Sequence, residues 1–195
     1  MIFRCSVIPL ILFILLMAGQ QVWCTKPLKG VTLCIDPGHG NTAQTDFFRV
    51  GPTGEREEWI NLRVAFMLRD RLVEAGATVL MTRESDVDVN LADRAALAVR
   101  HDADLFVSIH HNGTTNDPDV DTPLIYFWGK ASENPASVDF GSILIEKIVE
   151  KMQFEDVEGA GLYSDFVLFS EGTAVLRNSY PHLPGVIGEA GYFTN

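Results

Sequence analysis

The sequence is poor in positive charge, in cysteine and in long apolar runs. Over 195 residues, 15 lysines and arginines face 26 acidic residues, for a formal charge of −11. A chain this anionic is repelled by nucleic acid and by anionic membrane surfaces, which excludes both as charge-held partners. There are three cysteines, and two of them, Cys5 and Cys24, fall within the first 24 residues. Beyond those residues Cys34 stands alone, so no intrachain disulfide is available there, and Cys34 reads as a small buried hydrophobe. The apolar run from Val7 to Ala18 has twelve residues, whereas a membrane span needs about 20. No internal repeat, low-complexity tract or linker divides the chain, so a single domain is expected.

What is there begins with Arg4, the apolar run and then small and polar residues, the pattern of a secretory signal peptide over residues 1–24. Cleavage fits after Ala18 or after Cys24. An uncleaved anchor is the weaker reading, and bulky Trp23 disfavours a lipid anchor on Cys24. The expected mature domain, residues 25–195, keeps 14 basic and 26 acidic residues and a formal charge of −12. It is expected outside the cytoplasm, in the periplasm, the cell wall or the medium, off the membrane once the signal is removed. The sequence does not set its oligomeric state.

Along that domain the periodicity alternates between strand and helix. Val31 to Ile35 reads as a buried strand ending at the turn-forming Asp36-Pro37-Gly38, and Asn41 to Gly54 as a polar loop. From Glu55 to Ala75, Ile60, Val64, Leu68 and Leu72 form one helical stripe, with Gly76 as a stop. Ala77 to Met81 reads as a strand, Asn90 opens a helix through Arg100, and Asp104 to Ile109 reads as a strand ending at a histidine. Leu124 to Trp128 follows as a strand, Ser137 to Met152 as a helix, Val167 to Phe169 as a short strand and Val186 to Gly188 as the last. This alternation predicts an α/β fold: a single domain with an open, mostly parallel or mixed sheet flanked by helices on both faces.

Open α/β sheets bind ligands at the carboxyl ends of their strands. His39, His110 and Glu189 fall at such ends, and Glu57 sits at the entry turn of the sheet-facing helical stripe, aimed at the same edge. Two imidazoles with one or two carboxylates are the donor types of a catalytic zinc site with a position left for water. A further carboxylate there can take a proton from water and pass it to a leaving amine. Plainer roles also exist for each part: a solvated turn histidine, polar filling at His110-His111, a solvated first turn in "EREE", a satisfied buried carboxylate at Glu189.

In order, "DPGHG", "GEREEWINL", "LADRAALA", "ADLFVSIHHNG" and "VLRNSYPHLPGVIGEAGYFTN" make the chain from Val31 to Asn195 resemble the zinc-dependent N-acetylmuramoyl-L-alanine amidases of bacterial cell wall. The resemblance implies one zinc ion per chain on His39, Glu57 and His110. It implies Glu189 as the catalytic carboxylate, and peptidoglycan or muropeptide as substrate, cut at the amide between N-acetylmuramic acid and L-alanine. Glu57 is chosen because the family's glutamate lies four residues before an Asn-Leu pair, here Asn61-Leu62, with Glu55 and Glu58 as competitors. Asn112 matches the motif asparagine and is read as shaping the loop or supporting a ligand. Arg177 is read as either a holder of a stem-peptide carboxylate or a plain surface arginine. His111 takes a variable motif position, and His101 and His182 carry no assigned role.

The chain departs from the family in stopping at Asn195, where a further helix usually follows, which suggests a fragment or truncated gene. It also has no recognisable wall-binding repeats. Two other classes of function compete: a non-catalytic peptidoglycan-binding protein of the same fold, and a metal-free glycosidase using Glu57 and Glu189 as paired carboxylates.

Overall fold

The computed structural model describes residues 26–43, 45–46, 49–114, 119–154 and 157–195; the export segment expected over residues 1–24 lies outside them. Strand β1, Thr32–Pro37, is almost wholly buried, as its apolar run "LCI" requires on both faces of a sheet. Strands β2 (Thr78–Met81) and β3 (Leu105–Asn112) pair with it in parallel, placing Leu80 and Phe106 on either side of Cys34. Strands β4 (Leu124–Phe127), β5 (Gly161–Ser164) and β6 (Gly185–Tyr192) complete a six-stranded sheet of order β2-β1-β3-β6-β4-β5. β6 runs parallel to β3, whereas β4 runs antiparallel to β6, so the sheet is mixed. The carboxyl ends of β1, β3 and β6 therefore lie side by side, with His110 opposite Glu189 in register.

Helices cover both faces, as the alternation predicts. On one face, α1 (Glu57–Glu74) and α3 (Pro135–Met152) lay Val64, Leu68 and Leu72, and Phe140, Leu144 and Ile148, on a core of Ile35, Val107, Ile109, Ile125 and Val186. On the other, α2 (Leu91–Arg100) and the short α4 (Ala174–Ser179) pack Ala98, Val175 and Leu176 against Cys34, Phe106, Tyr126 and Ile187. Local chemistry sets the helix ends: Asn90 caps α2 by accepting from Ala92 N at 2.9 Å, Pro135 opens α3, and Gly76 takes a φ of +99° just past α1.

Three elements differ from the sequence reading. The strand expected over Val167 to Phe169 is instead a 3-10 turn, Asp165–Val167, running into a loop on which Phe169 is 62% exposed. The nearby strand is Gly161–Ser164, whose Gly-Leu-Tyr-Ser carries too little alternation to announce itself. Helix α4 has six residues, too few to show a 3.6-residue period. In addition, β3 and β6 extend past their apolar runs, so His110 and Glu189 stand within strands and not beyond them.

Candidate metal centre

The site is built on the chain that leaves β1. Gly38 N donates to Ile109 O at 2.9 Å, pinning the turn to β3. A side chain at Gly38 is impossible without rearrangement, since its Cβ would lie 2.2 Å from Nε2 of the His110 ring. His39 follows with φ of 61°, a left-handed conformation costly for a residue with a side chain. Two buried arginines hold that path. Arg83 donates to Pro37 O at 2.8 Å and to Gly38 O at 2.9 Å, and Arg94 donates to Pro37 O at 3.0 Å and to His39 O at 2.7 Å. Arg94 is itself fixed by buried Asp36 at 2.8 Å, which also accepts from Ser108 Oγ at 2.7 Å and Thr82 Oγ1 at 2.5 Å.

Glu57, in the first turn of α1, is where the imidazoles meet. Its Oε1 is 3.1 Å from His39 Nε2 and 3.1 Å from His110 Nδ1, and the two rings cross edge to face at 4.6 Å. Glu55 and Glu58 point elsewhere: Glu58 is buried against Arg56 at 2.6 Å, and Glu55 pairs with Arg63 on the surface. One turn along, Asn61 donates to Glu57 Oε1 at 3.2 Å and to Gly38 O at 3.3 Å while its own oxygen meets His111 Nδ1 at 2.8 Å. Asn61 thus ties the carboxylate, the β1 turn and β3 together.

Arg49 enters from the loop after β1. Its Nη1 donates to Glu57 Oε2 at 2.9 Å and lies 2.7 Å from His39 Nε2, while Asp46 holds its Nε at 2.5 Å. A guanidinium only donates and a carboxylate only accepts, so His39 Nε2 serves one of the two at a time: unprotonated it accepts from Arg49, protonated it donates to Glu57. The group formed by His39, Glu57 and His110 therefore already attracts a cation.

These contacts set the proton affinities. Burial opposes ionisation of Glu57, but hydrogen bonds from His110 and His39 outweigh it and hold its carboxyl far below the usual range. Burial lowers His39. Burial also opposes the charge of His110, yet the Glu57 hydrogen bond and the Glu189 charge raise it. Glu189 is pushed up to about 7, chiefly by burial, with the Glu57 charge adding and His110 opposing. Its Oε2 is buried with no hydrogen-bond partner. A carboxyl poised near neutrality beside two imidazoles is fit to exchange a proton at physiological pH.

His39, Glu57, His110, Asn112 and Glu189 share a cleft of about 670 Å³. Asn112 ends β3 and its carbonyl accepts from Phe193 N at 2.8 Å. Arg177 lies outside this cleft, 41% exposed, donating to Glu171 O at 3.1 Å. His101 caps α2 and is exposed, as is His182. Sequence reasoning missed Arg49, Asn61, Arg83 and Arg94 as parts of the site. Asn61 had a signal, lying one turn after Glu57 on the same stripe; the arginines act on backbone carbonyls or across a loop, which no spacing encodes.

The donors suit zinc. Ligand atoms around a tetrahedral zinc at 2.0–2.1 Å stand about 3.3 Å apart, close to the 3.1 Å between Glu57 Oε1 and each imidazole. Fold and site together define an α/β protein with a His-Glu-His group, its glutamate buried and its histidines half-buried, able to hold a divalent metal. Comparison with known proteins narrows this class. The profile of the Amidase_3 family, N-acetylmuramoyl-L-alanine amidase, matches residues 33–195, and the chain belongs to that family. YqiI of Bacillus subtilis (strain 168) is 33% identical over 172 residues, covering 87% of this chain and 74% of YqiI. The germination-specific N-acetylmuramoyl-L-alanine amidase of the same organism is 33% identical over 150 residues, 66% of this chain and 59% of that protein. Among solved structures, the N-acetylmuramoyl-L-alanine amidase from Clostridium difficile 630 superposes with a TM-score of 0.70 at 28% identity, over 84% of this chain and 80% of that one.

Proposed function

We propose that the chain is an exported, zinc-dependent hydrolase that cleaves the amide between N-acetylmuramic acid and L-alanine in peptidoglycan. The observation that carries the reading is the meeting of both imidazoles on Glu57 Oε1 at 3.1 Å beside a half-buried Glu189 whose Oε2 has no hydrogen-bond partner. His39, Glu57 and His110 are the residues that would hold zinc. The chemistry zinc supplies when bound is Lewis-acid polarisation of the scissile carbonyl and acidification of water to a pKa of about 7.

The chain's own residues do the rest. Glu189, which lines the cleft, accepts a proton from the attacking water and returns it to the departing alanine nitrogen. Asn61 keeps Glu57 aimed at the imidazoles, and the Arg83 and Arg94 grips keep His39 in its costly backbone conformation. Asn112, on the cleft wall, is placed to meet the substrate. The carboxylate of Glu57 is already committed to two imidazoles and a guanidinium, which disfavours its use as half of a metal-free glycosidase pair.

Two substitutions test this reading. Glu189→Gln should retain zinc and lose release of L-alanine amino termini from peptidoglycan, whereas His110→Ala should lose both. Near-normal turnover by Glu189→Gln would remove the role given to that residue, and new reducing ends in place of new amino termini would replace the amidase with a glycosidase.

A further inference from the structure

A second cavity, of about 480 Å³, adjoins the cleft and shares His110, Phe169, Thr173 and Ile187 with it. The two spaces differ in chemistry. Away from the shared residues the cleft is mixed, setting Asp46, Asn112, Thr114 and Thr194 beside Leu168 and Phe193, whereas the second cavity is mainly apolar, lined by Leu91, Ala174 and Val175, with Ser170 and the exposed Arg177 and Glu171 as its polar groups. Its wall is firmly built: buried Asp165 accepts from Thr173 N at 2.6 Å, from Thr173 Oγ1 at 2.8 Å and from Gly129 N at 3.3 Å. A molecule whose reacting bond lies over His110 therefore sends one part into the more polar cleft and the other into an apolar pocket ending at a guanidinium.

Resting on the amidase reading, we infer that the apolar cavity receives the peptide side of the substrate and that Arg177 selects a free α-carboxylate on the residue after L-alanine. The alanine methyl suits the Val175 and Ile187 surface, while the hydroxyl and acetamido groups of the sugar suit the polar cleft. Arg177 is available for this. Its carboxylate partner, Glu171, is 84% exposed and 3.5 Å away, and an exposed pair of that kind contributes little. An incoming carboxylate that engages the guanidinium with two parallel hydrogen bonds displaces it.

The test uses the zinc-loaded chain with Glu189→Gln, which binds without turning over, and two probes that differ in one group and both have the γ-carboxyl amidated: N-acetylmuramoyl-L-alanyl-D-glutamine, whose α-carboxylate is free, and its α-amide. Calorimetry should show the acid binding about tenfold more tightly than the amide, equivalent to ~1.4 kcal/mol. Adding Arg177→Gln should abolish that preference and leave amide binding unchanged, and Glu171→Gln should widen it. Leu91→Asn, at a position already 51% exposed and so safe for folding, should weaken both probes alike. If the wild type releases amine but acid and amide bind equally, or the preference survives Arg177→Gln, the inference fails while the amidase reading stands. If neither probe binds and the wild type releases no amine, both fail.

Discussion

Glu189 and Arg49 are the two residues whose environments make the strongest demands. Burial holds the Glu189 carboxyl at about 7 against an ordinary value of 4.5. A group whose affinity for protons is higher in the folded chain contributes stability below its ordinary value and loses it as pH rises through the folded one. In the metal-free chain Glu189→Gln should therefore be more stable than wild type at pH 8, by up to ~3 kcal/mol, with the gap closing below pH ~4.5; thermal unfolding across that range reads it. Arg49 makes a different demand. Its Nη1 stands 2.7 Å from His39 Nε2, the atom through which that ring would hold a metal. Arg49→Gln should bind zinc more tightly, by about tenfold for one charge-assisted hydrogen bond removed, as measured by chelator competition. Weaker binding would instead make Arg49 a support for Glu57. The sequence reading named His39, Glu57 and His110, and they stand together, because a strand end and a helix entry fix direction well. It had no means of finding Arg49, which reaches the group across a loop with no period.

At the scale of elements, the site depends on how β1 is left. Asp36 and Arg94 form a buried pair under the turn that carries His39, and Arg83, from the chain after β2, grips four carbonyls, those of Pro37, Gly38, Glu58 and Ser85. Arg94→Met leaves Asp36 charged, buried and short of its main partner, which should cost ~3–5 kcal/mol in urea unfolding. Exposed Arg71→Met on α1 should cost under ~0.5 kcal/mol. Equal effects of the two would show that the buried pair carries no special weight. These elements also show where periodicity succeeds and fails. The stripes of α1 and α3 were legible because apolar residues recur four apart over five turns of helix facing a sheet. The Gly161–Ser164 strand and the six-residue α4 were not, since their placement comes from pairing with β4 and packing on α2, both contacts distant in sequence.

At the scale of the whole molecule, the order β2-β1-β3-β6-β4-β5 does the work of assembly. Alternation of strands and helices foretold a mixed sheet covered on both faces, but not its order, and only that order sets His110 of β3 opposite Glu189 of β6 and next to the turn leaving β1. Among the described residues no helix is long and apolar enough to cross a membrane. Cys34 is wholly buried at the centre of the sheet, and burial pushes its thiol up to about 12. It should react with a thiol reagent only at the rate of global unfolding; rapid modification of Cys34 itself in the folded chain, located by peptide mapping apart from Cys5 and Cys24, would contradict the packing described for β1.

The central claim is that His39, Glu57 and His110 hold a metal on which amide hydrolysis depends. The most direct measurement is the zinc content of the purified chain together with amine release from peptidoglycan before chelation, after it and after zinc is returned. The account predicts about one zinc per chain, with release of L-alanine amino termini lost on chelation and restored by zinc. Undiminished release from a chain verified to be free of metal would contradict it.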